Sequence, residues 1–190
     1  MKKRPIHGDV LAHVRLQLTY DTELLSKKEL KALRYVRSLT QNIDHYGGKS
    51  FDKHLYGTLS LLKHFNQSED VCLAGLYHAI YGTEYFSHNI KVDRTTVTKY
   101  IGKYAEELVH VFCSPERDRN IINNRLNKPL TCWKDLLYIL YANAIEQIPE
   151  PDQPNQNAML GFCKTVQERI IWCENTLDGN VWVELLTIST

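Results

Sequence analysis

Two histidines in the segment 51–86 stand where side chains from two helices could meet. His54 shares one side of its predicted helix with small and apolar residues, which are Gly57, Thr58, Leu61 and Leu62. His78 lies near the end of a second predicted helix, whose same face carries Val71, Ala74 and Gly75. The small residues would let the two helix backbones approach closely. Imidazoles that meet in this way would supply half of a divalent metal site, and the alternative is a pair of hydrogen-bonded core histidines.

The segment resembles the HD superfamily of metal-dependent phosphohydrolases, and above all the hydrolase domains that act on guanosine tetraphosphate. In that family a His on one helix precedes a His-Asp pair on the next helix and an Asp on a later one. His54 and His78 fit the two histidine places, and DVCLAGLYHA resembles the apolar helix before the pair. The phrase LLYILYANAIEQI resembles the later helix, with Asn143 at the Asp place. The resemblance covers about residues 44–148 and implies an HD-like helical bundle with a divalent metal on His54, His78 and Asn143.

The chain departs from that family at its carboxylates. Ala79 follows the second His, Asn143 replaces the final Asp, and no acidic pair follows His78 closely. Carboxylates hold a divalent cation by charge as well as by their oxygen lone pairs, so these changes weaken the expected site. The phrases HLYGT and AGLYHAIYGTE also resemble an uncharacterised family of short HD-like proteins, in which a small residue follows the second His.

Further candidate site residues lie in the turn before His54 and in the loop after His78. We predict Glu84, the carboxylate nearest to His78 in sequence, as a ligand or general base. Loops that leave a site helix often carry substrate contacts. The predicted substrate-binding residues are His45, Lys49, Tyr81, Thr83, Lys91 and Arg94. The alternative for each of them is an ordinary solvated side chain.

Two other groups of residues could contribute to the same site. Glu146 and Gln147 lie a turn or less from Asn143, which could itself coordinate through its oxygen or hydrogen-bond one of the histidines. The mostly polar segment 116–130 could rim an anionic ligand or form a solvated face; its basic residues are Arg117, Arg119, Arg125 and Lys128. We predict a short helix inside this segment.

Composition narrows the class of protein. The chain has 190 residues, of which 43% are hydrophobic, so it can fold as one domain with a proper core. The net charge of +1 argues against a nucleic-acid or membrane surface. Five cysteines without a C-x-x-C pair indicate reduced thiols and a cytoplasmic location. The N-terminal segment has no apolar stretch typical of a secretory signal, and no run approaches the ~18 residues of a spanning helix.

Helical periodicity predicts an all-α, single-domain fold over 1–190, with its core at about 26–148. Ser26 and Glu29 form a capping-box pattern that opens a helix to about Asn42. Asn66 and Ser68 are candidate caps for the His78 helix, and Gly82 is expected to end it. Other predicted features are a helix capped by Thr95 or Thr96 with a buried stripe of Val97, Ile101, Tyr104, Leu108 and Val111, a helix capped by Thr131, and a final helix at about 158–177. Asp9 could begin a short helix, residues 13–20 could instead form a strand, and the tail 181–188 could dock on the core.

Three functions fit these predictions. The first is metal-dependent hydrolysis of a nucleotide or another phosphorylated small molecule. The second is a catalytically inactive domain that binds a small molecule or a protein side chain in the same pocket. The third, a metal-dependent oxygenase on an HD scaffold, needs more His and Asp ligands than can be assigned to this sequence.

Overall fold

The computed structural model describes residues 23–45, 49–148 and 155–177. The predicted helix at Asp9, the alternative strand at 13–20 and the tail at 181–188 lie outside these ranges. The described residues form eight helices and no strand, so the all-α prediction is confirmed. The helices are α1 (Lys27–Thr40), α2 (Phe51–His64), α3 (Glu69–Tyr77), α4 (Arg94–Ile101), α5 (Lys103–Phe112), α6 (Arg117–Ile122), α7 (Leu130–Glu146) and α8 (Gln156–Leu177).

Helices α2, α3 and α7 form the centre of the bundle. Helix α2 packs against both α3 and α7, α5 covers α3, and α8 runs along α7. Leu55, Leu59 and Leu62 of α2 are fully buried in this core. A methyl group added at Gly75 would clash with Leu62, so α2 and α3 cross as closely as their small residues predicted.

Side-chain caps at the helix N-termini confirm two predictions and correct one. The predicted capping box is confirmed, because the Ser26 hydroxyl accepts a hydrogen bond from the Glu29 N–H at 3.1 Å and the Glu29 carboxylate accepts one from the Ser26 N–H at 2.7 Å. Ser68 caps α3 as predicted. The prediction of a threonine cap for α4 is wrong. The carboxylate of Asp93, a stronger cap residue, accepts the hydrogen bond from the Thr96 N–H at 2.9 Å.

The predicted helix across 97–113 is interrupted at Gly102. Gly102 has a φ of +94°, which a residue with a side chain rarely adopts, and it separates α4 from α5. The break resets the helical phase. Tyr104, predicted to be buried, is therefore 38% exposed, and Val111 is only partly buried. The buried residues of α5 are Ala105, Glu106, Leu108, Val109 and Phe112.

Two other predicted boundaries are wrong. Helix α3 ends at Tyr77 rather than at Gly82, and a turn carries the chain through His78 to Gly82, where φ is +80°. Helix α7 begins at Leu130 after Pro129 without a side-chain cap, so Thr131 lies inside the helix.

All five cysteines are free, and four of them are buried, as expected for cysteines that act as small hydrophobic residues. Across 23–45, 49–148 and 155–177, no helix combines the length and the apolar character needed to cross a membrane.

Candidate functional site

The two histidines meet in the interior of the bundle. His54 projects from α2, His78 caps the end of α3, and their Nε2 atoms lie 3.2 Å apart. Both residues are 1% exposed. The close crossing at Gly75 brings the two helices near enough for this contact. The imidazoles therefore converge as the sequence pattern predicted, whereas their chemical role stays a prediction.

The Nδ1 atom of each imidazole is occupied by a separate partner. His78 Nδ1 lies 2.8 Å from the carbonyl oxygen of Gly75, and because a carbonyl can only accept, this Nδ1 carries a proton. His54 Nδ1 forms a short hydrogen bond with the carboxyl group of Glu146 on α7. Carboxylates and backbone carbonyls bonded in this way commonly orient the imidazoles that bind a metal through their other nitrogen.

The hydrogen-bond pattern fixes where the protons lie. A neutral His78 that is protonated on Nδ1 has a lone pair on Nε2, so the facing Nε2 of His54 must donate a proton into the 3.2 Å contact. A neutral His54 protonated on Nε2 accepts on Nδ1, which requires Glu146 to be the donor. With both imidazoles neutral, Glu146 is therefore the protonated member of the chain Glu146–His54–His78.

The pKa shifts agree with this proton arrangement. Burial raises the pKa of Glu146 to about 7, against the opposing charge of Lys49. Burial and the charge of Lys49 lower the pKa of His54 to about 3. Burial also lowers the pKa of His78 well below its ordinary value. A carboxylic acid and two neutral imidazoles are thus the favoured forms below about pH 7.

Lys49 and Gly57 position the Glu146 carboxyl group. Lys49 Nζ lies 2.9 Å from Glu146 Oε1 and 3.2 Å from the backbone oxygen of the same residue. A Cβ atom at Gly57 would approach Glu146 Cγ to 2.8 Å, so only glycine leaves room for this side chain. Lys49, predicted to bind substrate, lies at the site but is committed to Glu146.

Two further predicted residues border the histidine pair. The His45 ring stacks on the His54 ring with centroids 4.0 Å apart, and it meets Phe86 edge-on at 4.7 Å. Asn143 is 5% exposed, accepts a hydrogen bond from Gln147 Nε2 at 2.8 Å, and lies within hydrogen-bonding reach of His54.

Three further predicted site residues form hydrogen bonds within the loop after His78 or to Glu106 of α5. Tyr81 donates to Glu106 at 2.9 Å, and Arg94 binds the same carboxylate through two nitrogens at 2.6 Å. Thr83 accepts a hydrogen bond from the Phe86 N–H at 3.0 Å. These contacts give Tyr81, Thr83 and Arg94 structural partners within the fold.

Glu84 and Lys91 also lie outside the histidine cluster. Glu84 is exposed, and its carboxylate accepts a hydrogen bond from the Glu116 N–H at 3.1 Å. Lys91 is exposed on the wall of a cleft of about 620 Å³. The carboxyl group that contacts His54 is that of Glu146, because helix packing, rather than proximity along the chain, decides which acid reaches the pair.

Glu146 and Arg117 were predicted only as possible contributors, beside the metal ligands, general base and substrate-binding residues proposed for the site. The signal for Glu146 was its position three residues after Asn143 on the same face of α7. Arg117 stood among several basic residues of a polar segment, and it alone of that segment's basic residues is buried. No pattern in the sequence distinguishes it from its neighbours.

The donor set fits a divalent transition metal only in part. When two nitrogens bind the same ion at about 2.1 Å, tetrahedral or octahedral angles place them about 2.9–3.4 Å apart. The observed distance of 3.2 Å between the two Nε2 atoms falls in this range. In the described ranges, however, no group of three or more His, Cys, Asp and Glu residues could hold a metal ion. Any ion here would rely on His54 and His78, with the Asn143 amide or water for the rest.

The comparisons with known proteins give a likeness without a function. A family described as a domain of unknown function (DUF6817) matches residues 35–117, which is less than half of the chain. The matched segment contains His54, His78 and Arg117 and ends before Asn143 and Glu146. No curated protein and no solved structure matches the chain.

Proposed function

We propose that this chain is an HD-like domain that hydrolyses a phosphorylated small molecule with a divalent transition metal held by His54 and His78. The observation that carries the proposal is the pair of facing Nε2 atoms, each on a ring whose Nδ1 is already hydrogen-bonded. When both Nδ1 atoms carry the proton, this arrangement presents the two Nε2 lone pairs to one metal ion. The resemblance in segment 51–86 supports the same assignment.

The residues of the chain have distinct roles in this proposal. A divalent cation at such a site would supply a Lewis acid and lower the pKa of a bound water. Glu146 would orient His54 by passing its proton to Nδ1, while the Nε2 proton of His54 is released to solvent and the Nε2 lone pair becomes free. Lys49 then neutralises the resulting carboxylate at 2.9 Å. Asn143 adds an amide oxygen without charge beside His54.

We expect metal-dependent release of phosphate from at least one member of a nucleotide panel. Purified chain would be stripped with a chelator, reloaded with Co²⁺, Mn²⁺ or Zn²⁺, and assayed with nucleoside mono-, di- and triphosphates. His54→Gln and His78→Gln should abolish the release, whereas His110→Gln, at an exposed position of α5, should not. If no metal supports turnover of any substrate, hydrolysis is refuted.

The second candidate is an inactive domain that binds a ligand in the same region. It is favoured by the lack of anionic ligands, because Ala79 and Asn143 carry no charge and Glu146 is engaged by His54 and Lys49. Ligand-dependent thermal stabilisation without any product would support this candidate over the enzyme. For either candidate we propose a cytoplasmic location, which the five free thiols support.

A further inference from the structure

Arg117 is a cation buried beside the histidine pair. Its side chain is 7% exposed at the start of α6, and its guanidinium carbon lies 4.3 Å from the centre of the Phe112 ring. The ring centre of Tyr85 lies 5.6 Å from the same guanidinium carbon. The Phe112 ring meets the His78 ring edge-on at 5.3 Å, so one aromatic side chain contacts both Arg117 and the pair.

Within the part of the chain that the structure describes, most of the hydrogen-bonding capacity of Arg117 is unused. Its Nε donates to Asp118 Oδ1 at 3.0 Å. For its two terminal nitrogens, which carry four N–H groups, no acceptor is found among residues 23–45, 49–148 and 155–177. Packing against aromatic rings stabilises a buried guanidinium but does not satisfy these donors. A buried fork of N–H groups without an acceptor is suited to a ligand oxygen.

The charge of Arg117 reaches the histidine pair. It lowers the pKa of both His54 and His78, in addition to the larger effect of their burial. Lys49 Nζ is held by two oxygens of Glu146, whereas among the described residues Arg117 has one monodentate partner that is itself partly exposed. Arg117 therefore places positive charge on the Phe112 side of the pair, and this charge would attract an anion.

We propose that Arg117 is an anion-binding residue that holds the phosphoryl group of the substrate through its terminal nitrogens, on the Phe112 side of the His54–His78 pair. The choice of a phosphoryl group over another oxyanion rests on the proposed function. Guanidinium matches the geometry of phosphate with two parallel hydrogen bonds, which a lysine ammonium cannot make. Arg119, on the same short helix but 61% exposed, is the matched control.

Nitrogen-15 NMR of the full chain tests this proposal with inorganic phosphate as the probe. The Nε–Hε signal of Arg117 should shift saturably with phosphate at constant ionic strength, while that of Arg119 should follow the chloride control. Arg117→Lys should weaken phosphate binding by at least about tenfold, and Arg119→Lys should leave it unchanged. An Arg117 signal that does not move, or that chloride moves equally, overturns the proposal, and so does full affinity in Arg117→Lys.

If Arg117→Lys fails to fold, the response of the wild-type Arg117 signal to phosphate still tests the anion site. A parallel Co²⁺ titration separates this inference from the proposed function. Phosphate binding at Arg117 without Co²⁺ uptake would support the anion site and refute the metal-dependent hydrolase. Co²⁺ uptake without a phosphate response at Arg117 would overturn the anion site alone.

Discussion

Glu146→Gln is expected to weaken Co²⁺ binding by about 10- to 100-fold, the range typical for loss of a group that orients a metal ligand. Metal binding at His54 Nε2 requires a proton on Nδ1 and a carboxylate to accept it. An amide can accept this hydrogen bond but cannot supply the negative charge. The measurement is the Co²⁺ dissociation constant by absorption titration at neutral pH.

The same substitution should leave the metal-free fold nearly intact. The glutamine N–H can donate to His54 Nδ1 in place of the carboxyl proton, and its oxygen can still accept from Lys49. The free energy of unfolding at pH 6 should therefore change by less than about 1 kcal/mol. Glu107→Gln, at a carboxylate that is 44% exposed and pairs with Lys128, serves as the control. Equal Co²⁺ affinity in wild type and Glu146→Gln would show that Glu146 does not orient the ligand.

The free energy of unfolding is expected to rise as the pH is raised from about 4 to about 6.5. Burial lowers the pKa of His45 to about 4, and it lowers the pKa of His78 well below 6.5. Below pH 6.5 the unfolded chain therefore binds more protons than the folded chain, so acid favours unfolding. Each fully buried neutral histidine contributes about 1.4 kcal/mol per pH unit over its window, and partly exposed His45 contributes less.

The contributions of Glu146 and His54 to the pH dependence of the free energy of unfolding nearly cancel over most of this pH range. The folded pair holds one proton between about pH 3 and about pH 7. The unfolded pair also holds one proton between the ordinary pKa values of Glu, 4.5, and His, 6.5. The pair therefore changes the free energy of unfolding with pH in two windows. Between about pH 6.5 and 7 stability falls as rising pH removes the Glu146 proton, and below about pH 4.5 stability falls with falling pH because the unfolded pair binds a second proton.

Urea unfolding at a series of pH values measures the slope of the free energy of unfolding against pH. His78→Gln should flatten it, because the glutamine does not titrate, whereas the exposed His110→Gln should keep the wild-type slope. A stability that is independent of pH between 4 and 6.5 in the wild type would mean that His78 is accessible to protons in the folded chain.

The sequence predicted those parts of the fold and site that depend on local spacing. The Ser26–Glu29 box lies within one turn, and the converging histidines followed from small residues on two adjacent helices. Gly102 was not recognised as a break, because a single glycine in an apolar-periodic run gives no indication that it will adopt a positive φ.

Contacts between distant segments could not be predicted in the same way. Glu146 reaches His54 across 92 positions, and Lys49 reaches Glu146 across 97, so these partners depend on how α7 packs against α2. Glu84 was favoured because it is close to His78 in sequence, yet its hydrogen bond goes to the backbone of Glu116. The burial of Arg117 likewise follows from the placement of Phe112 and Tyr85 around it.

A Co²⁺ absorption titration of wild type, His54→Gln and His78→Gln tests most directly whether the facing imidazoles form a metal site. The predicted result is one Co²⁺ per chain with nitrogen-ligand bands, lost in each variant and kept in His110→Gln. Wild-type chain that takes up no Co²⁺, or uptake that survives both substitutions, would contradict it.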